Sequence, residues 1–404
     1  MNETEMDMPG ETHANAFFQM RESMRTLPLQ NIADLAKSGF GRDDIIPLWF
    51  GEGDLTTPDF ICDAAHAALK AGHTFYTHQN GIPELRDALS GYLSRHHDAE
   101  IATDRVSVTM GGMAAILAAI QMVVDAGDEV LIFDPVWPNV RGAVQMMGGT
   151  VRSIRMEETD QGFALDLDRV EDAMGGRTKA VFFASPGNPT GWIMPPEQQA
   201  ALLDLCRQRG VWIIADEVYT RFHYTGPAGA AGPAAPSMLS LAGPEDLVLV
   251  VNSFSKAWCM TGWRLGWLTH PASLADTMAM VVQYNTSGVG TFLQHAGTAA
   301  ILEGEPFVDF LVDRCRTARD IVCDSLENLP RIKGMTRPDG GMYVYFRVDG
   351  VTDSRATCAE ILERTGIGLA PGFAFGDDEY LRICYCNDPD RLSEAMERLR
   401  PAFM

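Results

Sequence analysis

At 404 residues and a formal net charge of −22, the chain is long enough for two domains of about 100–200 residues each. So acidic a protein repels a phosphate backbone, which argues against general nucleic-acid binding. Hydrophobic residues at 46% and charged residues at 21% fit a soluble globular chain, and no apolar run reaches the roughly 18 residues that span a bilayer.

Residues 1–15 carry Glu3, Glu5 and Asp7 where an export leader is basic, so they read as a flexible acidic tail on a cytoplasmic protein. Residues 16–50 read as an N-terminal arm. Beyond them, short apolar runs alternate with amphipathic stretches. RVSVTM (105–110), EVLIFDP (129–135), AVFFASP (180–186), VWIIADEVY (211–219), LVLVVNSFS (247–255) and WRLGWLTH (263–270) predict strands buried on both faces. Helical patterns fall at about 113–124, 138–147 and 196–208, the last opened by Pro196 with Glu197 beside it. Such alternation predicts a mostly parallel α/β sheet, with ligands gathered beyond the carboxyl ends of its strands. The stretch GPAGAAGPAAP (226–236) reads as a surface loop. From about Thr291 the pattern turns to long helices, then to strands at GGMYVYFRV (340–348) and YLRICYC (380–386), and to a closing helix at 389–399. That predicts a smaller α+β domain over 291–404. No internal repeat is present.

Eight cysteines in a chain this long are not a disulfide framework, and neither C-x-x-C nor H-E-x-x-H occurs, so no metal site is expected. Cys384 and Cys386 form a C-x-C that strand alternation explains equally well.

The candidate chemistry centres on Lys256, one of only five lysines. It follows a buried strand and sits among aromatic and small residues, where the charged form is disfavoured and the amine becomes nucleophilic. A snorkelling strand-end lysine is the plainer reading. Asn188 in ASPGNPTG is the one amide in a tight Pro/Gly turn. Asp216 ends a strongly apolar strand, where an acid is costly unless paired or used as a helix cap, and Tyr219 follows three residues on. Gly111 and Gly112 open a helix and leave backbone N–H groups free for an anion, while Ser253, Ser255 and Arg264 supply hydroxyls and a guanidinium suited to the same phosphate.

Taken together, PGNPTG, ADEVY, SFSK and TGWRLGW resemble the class I/II pyridoxal-phosphate-dependent aminotransferases of fold type I, in order and spacing. The likeness runs from GEGD at Gly51 to Arg382 in YLRICY. The resemblance implies a large cofactor-binding domain around a mostly parallel seven-stranded sheet (51–290), a small domain (291–404 with part of 16–50), and a homodimer with shared active sites acting on small amino and 2-oxo acids, with no nucleic-acid or membrane partner. It implies that Lys256 holds pyridoxal 5′-phosphate covalently and moves the proton at the substrate Cα. Asp216 then pairs with the pyridine nitrogen, Asn188 and Tyr219 bond the ring oxygen, and Trp137 lies over the ring. The backbone at Gly111, Gly112 and Met113, with Ser253, Ser255 and Arg264, takes the phosphate. Tyr76 reaches the neighbouring subunit's phosphate. On the substrate side, Arg382 and the backbone at Gly51 take the α-carboxylate, with Trp137 and Asn188 alongside.

Two features depart from the pattern. Gly53 stands where proline is frequent, and Met113 and its neighbours offer no charge where some aspartate-using relatives carry a lysine. Aspartate then needs another cation, such as Arg21, Arg25 or Arg141, whereas Phe17, Phe18 and VQYNTSGVG suit an apolar or aromatic side chain; the sequence leaves both open. It also leaves open transamination against β-elimination or decarboxylation on the same site. Rival classes fare worse. Ser253–Lys256 matches S-x-x-K, but the S-D-N and K-T-G partners are missing. Neither G-x-G-x-x-G after a strand nor a P-loop occurs. The acidic first 50 residues leave no room for the basic helix-turn-helix of a ligand-sensing regulator.

Overall fold

The computed structural model describes residues 18–404 except 28–30, 38, 40, 161 and 226–232. The acidic tail, Phe17 and most of the 226–236 loop therefore lie outside the described residues.

Seven strands form the main sheet: β1 (Val106–Thr109), β2 (Glu129–Asp134), β3 (Thr150–Arg155), β4 (Thr178–Ala184), β5 (Trp212–Asp216), β6 (Val248–Ser253) and β7 (Gly266–Thr269). Their order across the sheet is β1-β7-β6-β5-β4-β2-β3. All neighbours run parallel except β7, which is antiparallel to both β1 and β6. Six of these are the strands expected from the apolar runs. β3 reads TVRSIR and is largely exposed, as an edge strand with polar alternation is, and its sequence carries no buried-strand signal.

The period of two explains why the central strands read as continuous apolar runs. In β4, Val181 and Phe183 face one core while Ala180, Phe182 and Ala184 face another; in β5, Ile213 and Ala215 oppose Ile214. The second core is closed by α2 (Gly112–Val123), preceded in the chain by α1 (Pro83–His97) on the other side. Further helices are α3 (Asn139–Met146), α4 (Pro196–Arg209), α5 (Thr291–Glu303), α6 (Glu305–Leu326), α7 (Ser354–Thr365) and α8 (Pro389–Leu399). A second sheet, β8 (Ile332–Met335), β9 (Tyr343–Val348), β10 (Ala370–Pro371) and β11 (Tyr380–Cys384), has the order β8-β9-β11-β10 and is antiparallel throughout. It shares the first core with the main sheet through Val344, Phe346 and Ile383.

One buried polar cluster ties α1 to α6. Arg221, 4% exposed, donates to both carboxylate oxygens of Glu305 at 2.7 and 2.9 Å and to the Tyr92 hydroxyl at 3.1 Å. His97 lies nearby, 4% exposed, and its Nε2 has no partner among the described residues. Burial, reinforced by the charges of His96 and Arg221, pushes the His97 imidazole down from 6.5 to about 4. The unfolded chain therefore takes up a proton near 6.5 that the folded chain refuses until about 4. Stability from His97 is complete above 6.5 and lost as pH falls toward 4, by about 3 kcal/mol at most. The thermal midpoint of His97→Leu, measured by calorimetry, should fall less between pH 6.5 and 4.5 than that of the wild type; an equal fall would contradict this account.

Candidate active site

Parallel strands end on the same side of the sheet, and the residues just beyond those ends build one cavity of ≈ 380 Å³. After β1 the chain turns at Gly111, whose φ of +84° favours glycine, and enters α2 at Gly112. No side chain caps this helix and its first turn holds no acid, so its leading N–H groups stay open to an anion. A Cβ on Gly111 would come within 2.6 Å of Arg264 Nη2, so the glycine lets the guanidinium lie against the turn. Arg264 itself has a φ of +56° and donates to the Thr261 carbonyl at 2.7 Å. Across the turn, the Ser253 hydroxyl donates to Ser255 Oγ at 2.9 Å and accepts from the Ser255 N–H at 3.1 Å. The first N–H groups of α2, at Gly112 and Met113, thus converge with two hydroxyls and a guanidinium at one end of the cavity, while the Gly111 N–H is held by the Thr109 carbonyl at 2.8 Å.

Lys256 follows directly and its side chain projects into the cavity. Its Nζ donates to the Gly51 carbonyl at 2.6 Å and lies 5.5 Å from the centre of the Tyr219 ring. Burial lowers its pKa from the ordinary lysine value, which favours the neutral, nucleophilic amine. Asp216 ends β5, 6% exposed, with one backbone N–H (Val218) at 3.3 Å. Burial raises its carboxyl to about 6, as expected of an acid awaiting a cationic partner.

The opposite wall comes from the second sheet. Arg382 of β11 is 2% exposed and donates from Nη1 to Asn188 Oδ1 at 2.8 Å and from Nη2 to the Trp49 carbonyl; its Nε has no partner among the described residues. Its guanidinium lies 4.4 Å from the Tyr343 ring centre and 5.0 Å from that of Phe375. Trp137 and Met113 line the cavity as well.

The sequence-predicted residues Gly51, Gly112, Met113, Trp137, Asn188, Asp216, Tyr219, Ser253, Ser255, Lys256, Arg264 and Arg382 all line this one cavity, with Gly111 beside it. Tyr76 does not: it is 94% exposed, near Phe75 at 83% in the chain, on the outer surface. Arg21, Arg25 and Arg141 are not among the lining residues either; Arg141 pairs with Asp134 and donates to the Ser153 hydroxyl. Phe18 and Tyr284 are exposed away from the cavity. Sequence reasoning missed Tyr343, Ile32, Phe50 and Ile116, all of which line it. None of the four carried a local signal; Tyr343 stands in a strand with Tyr345 and Phe346 beside it.

Residues 45–399 match the family model for aminotransferase class I and II. The aspartate/prephenate aminotransferase of Cereibacter sphaeroides is 33% identical over 93% of this chain and 96% of its own. The aspartate aminotransferase of Thermotoga maritima is 32% identical over 88% of this chain and 91% of its own. The crystal structure of the T. maritima aspartate aminotransferase superposes with a TM-score of 0.87 at 30% identity, covering 95% of this chain and 99% of that one. That of an aromatic aminotransferase from Pyrococcus horikoshii gives 0.82 at 29%, over 92% and 98%. The seven-stranded, mostly parallel sheet is that of fold type I. With the family model spanning nearly the whole chain, this protein belongs to the class I and II aminotransferases.

Proposed function

We propose that the protein uses pyridoxal 5′-phosphate to move an amino group between an L-amino acid and a 2-oxo acid, with donors of apolar or aromatic side chain preferred. The observation that carries this is the meeting in one cavity of a buried Lys256, a buried Asp216 with no ion-pair partner among the described residues, and the Gly111–Arg264 anion cradle.

These residues fit the cofactor. The N–H groups at Gly112 and Met113, the Ser253 and Ser255 hydroxyls and Arg264 would hold its phosphate; Asp216 would pair with the ring nitrogen. Trp137 offers a flat face to the ring. Asn188 spends its Oδ1 on Arg382, so its Nδ2 is left to donate to the ring oxygen alongside the Tyr219 hydroxyl. When bound, the cofactor supplies an electron-withdrawing ring that accepts the electron pair released at the substrate Cα. Lys256 would hold the cofactor and, once freed, carry the proton to and from that Cα, a task worth about 10²–10⁴-fold. Arg382, locked by Asn188 and the Trp49 carbonyl, would present its guanidinium to the α-carboxylate and orient the Cα–H bond.

The substrate side chain would meet Ile32, Phe50, Met113 and Ile116. The lining cations Lys256, Arg264 and Arg382 are each taken by a nearer task, and a second carboxylate brought against apolar walls goes unpaired. The holoenzyme should show a visible absorption band that moves to shorter wavelength on adding phenylalanine or leucine and returns with a 2-oxo acid. Its kcat/KM for the better of these should exceed that for aspartate by at least about tenfold, a difference of 1.4 kcal/mol. Equal or better use of aspartate would overturn the apolar preference. With an amino acid that carries a thiolate leaving group at Cβ, a band that persists while the thiol, ammonia and pyruvate accumulate would mean elimination.

We also propose the homodimer. Phe75, Tyr76, Met280 and Tyr284 are between 53% and 94% exposed, large apolar side chains suited to an interface through which Tyr76 would reach the partner's phosphate site. The chain is proposed to divide at about residue 290 into a large cofactor domain and a small one. Eight free cysteines support a reducing, cytoplasmic setting.

A further inference from the structure

We propose that Tyr343 is a positioning residue for the reaction, its hydroxyl aiming Tyr219 at the cofactor and its ring holding the Arg382 guanidinium in plane for the substrate carboxylate. This rests on the cofactor reading above and extends it to a residue of the small sheet.

Tyr343 opens β9 and is 0% exposed. Three contacts converge on it. Its hydroxyl is 2.6 Å from that of Tyr219, with the rings edge to face at 5.6 Å. Its ring faces the Arg382 guanidinium at 4.4 Å. Its hydroxyl also occupies the space a Cβ on residue 51 would need, so Gly51, which accepts from Lys256 Nζ, packs directly against it. One side chain therefore touches the residue assigned to the ring oxygen, the residue assigned to the α-carboxylate, and the backbone that holds the nucleophilic amine.

The hydrogen-bond inventory gives the direction. A tyrosine hydroxyl has one proton and accepts with its lone pairs. If Tyr219 donates its proton to the cofactor's ring oxygen, the short bond between the two tyrosines must be a donation from Tyr343 to Tyr219. A donor whose own oxygen accepts a hydrogen bond is the stronger donor, because the chain of bonds polarises in one direction. Tyr343 thus fixes the Tyr219 rotor and strengthens its bond. The chemistry at the other face is separate. A ring beneath a guanidinium restricts it to one plane and attracts the charge, and this needs the ring, not the hydroxyl.

The two roles separate by substitution. Tyr343→Phe keeps the ring and loses the hydroxyl; Tyr343→Leu loses both. With less hydrogen bonding to the ring oxygen, more negative charge stays beside the proton that titrates in the holoenzyme. The pH midpoint of its visible band should therefore rise in Tyr343→Phe by about half a unit, about threefold in the ionisation constant, while KM for the amino donor stays within about twofold. Tyr343→Leu should add a rise in KM of about tenfold. In Tyr219→Phe the hydroxyl has nothing left to aim, so adding Tyr343→Phe to it should move the midpoint no further. An unmoved midpoint in Tyr343→Phe, or additive shifts in the double variant, would overturn the first role. An unmoved KM in Tyr343→Leu would overturn the second. A wild-type protein with no visible band after addition of pyridoxal phosphate would instead refute the cofactor reading itself.

Discussion

Replacing Lys256 with alanine should abolish the visible band of the holoenzyme and lower kcat/KM by at least about 10⁴-fold, the upper end of what proton transfer alone contributes. On the function proposed above, two roles would go at once: the covalent hold on the cofactor and the base at the substrate Cα. The fold should survive. Among the described residues Lys256 makes one side-chain hydrogen bond, to the Gly51 carbonyl, and its neighbours Phe254, Ala257 and Trp258 supply the local packing at 0–3% exposure. Lys256→Arg sharpens the test. It retains a cation but removes an amine that can lose its proton, so it should be as inactive as the alanine variant. Absorbance spectra and single-turnover rates measure both. A variant that keeps the band, or more than about one per cent of the rate, would mean that the amine does something else.

Asp216→Asn should cost about 10²–10³-fold in kcat, the range expected when one member of a buried charge pair is removed, with the volume of the side chain preserved. A pH signature accompanies it. Burial holds the Asp216 carboxyl at about 6 against 3.8 in the ordinary case. Ionisation that the unfolded chain completes near 3.8 is delayed in the folded, cofactor-free protein. Its stability is thus fully present below 3.8 and declines as pH rises through about 6, by about 3 kcal/mol. Pairing with a protonated ring nitrogen offsets that loss. The gain in thermal midpoint on adding pyridoxal phosphate to stripped protein should therefore be larger at pH 8 than at pH 5. In Asp216→Asn the gain should vary less with pH. A wild-type gain that is flat with pH would separate Asp216 from the cofactor.

Much of this site was legible because its parts are local. Strand, turn and residue type sit within seven to nine consecutive residues in AVFFASPGN, VWIIADEVY and NSFSKAW, so the candidate chemistry follows from what stands at the carboxyl end of an apolar run. Lys256 and Asp216 stood out for a further reason: a charge beside a buried strand is costly and calls for a use. Arg382 was found by resemblance rather than by pattern, since YLRICY alone reads as a strand with one arginine in it. Edge strand β3 gave no signal because most of it is solvated and its alternation is polar.

Tyr343 shows the limit of such reading. As sequence it is one aromatic in a strand of alternating aromatics, and nothing local distinguishes it from Tyr345, which packs on Tyr380 and bonds Asp377 elsewhere. What sets Tyr343 apart is a hydroxyl contact across 124 residues and a ring contact across the second sheet. Asn188 and Arg382, 194 residues apart, meet for the same reason.

By itself, then, the sequence determined the parallel sheet and marked Lys256 and Asp216, at the carboxyl ends of its strands, as the candidates for chemistry, because hydrophobic period and the cost of burying charge act over a few residues. The tertiary structure alone decided which aromatic bears on Tyr219 and which oxygens lock Arg382. Those follow from how the second sheet closes over the first, and a packing of two sheets is fixed by the summed shape of both cores rather than by any one stretch of chain.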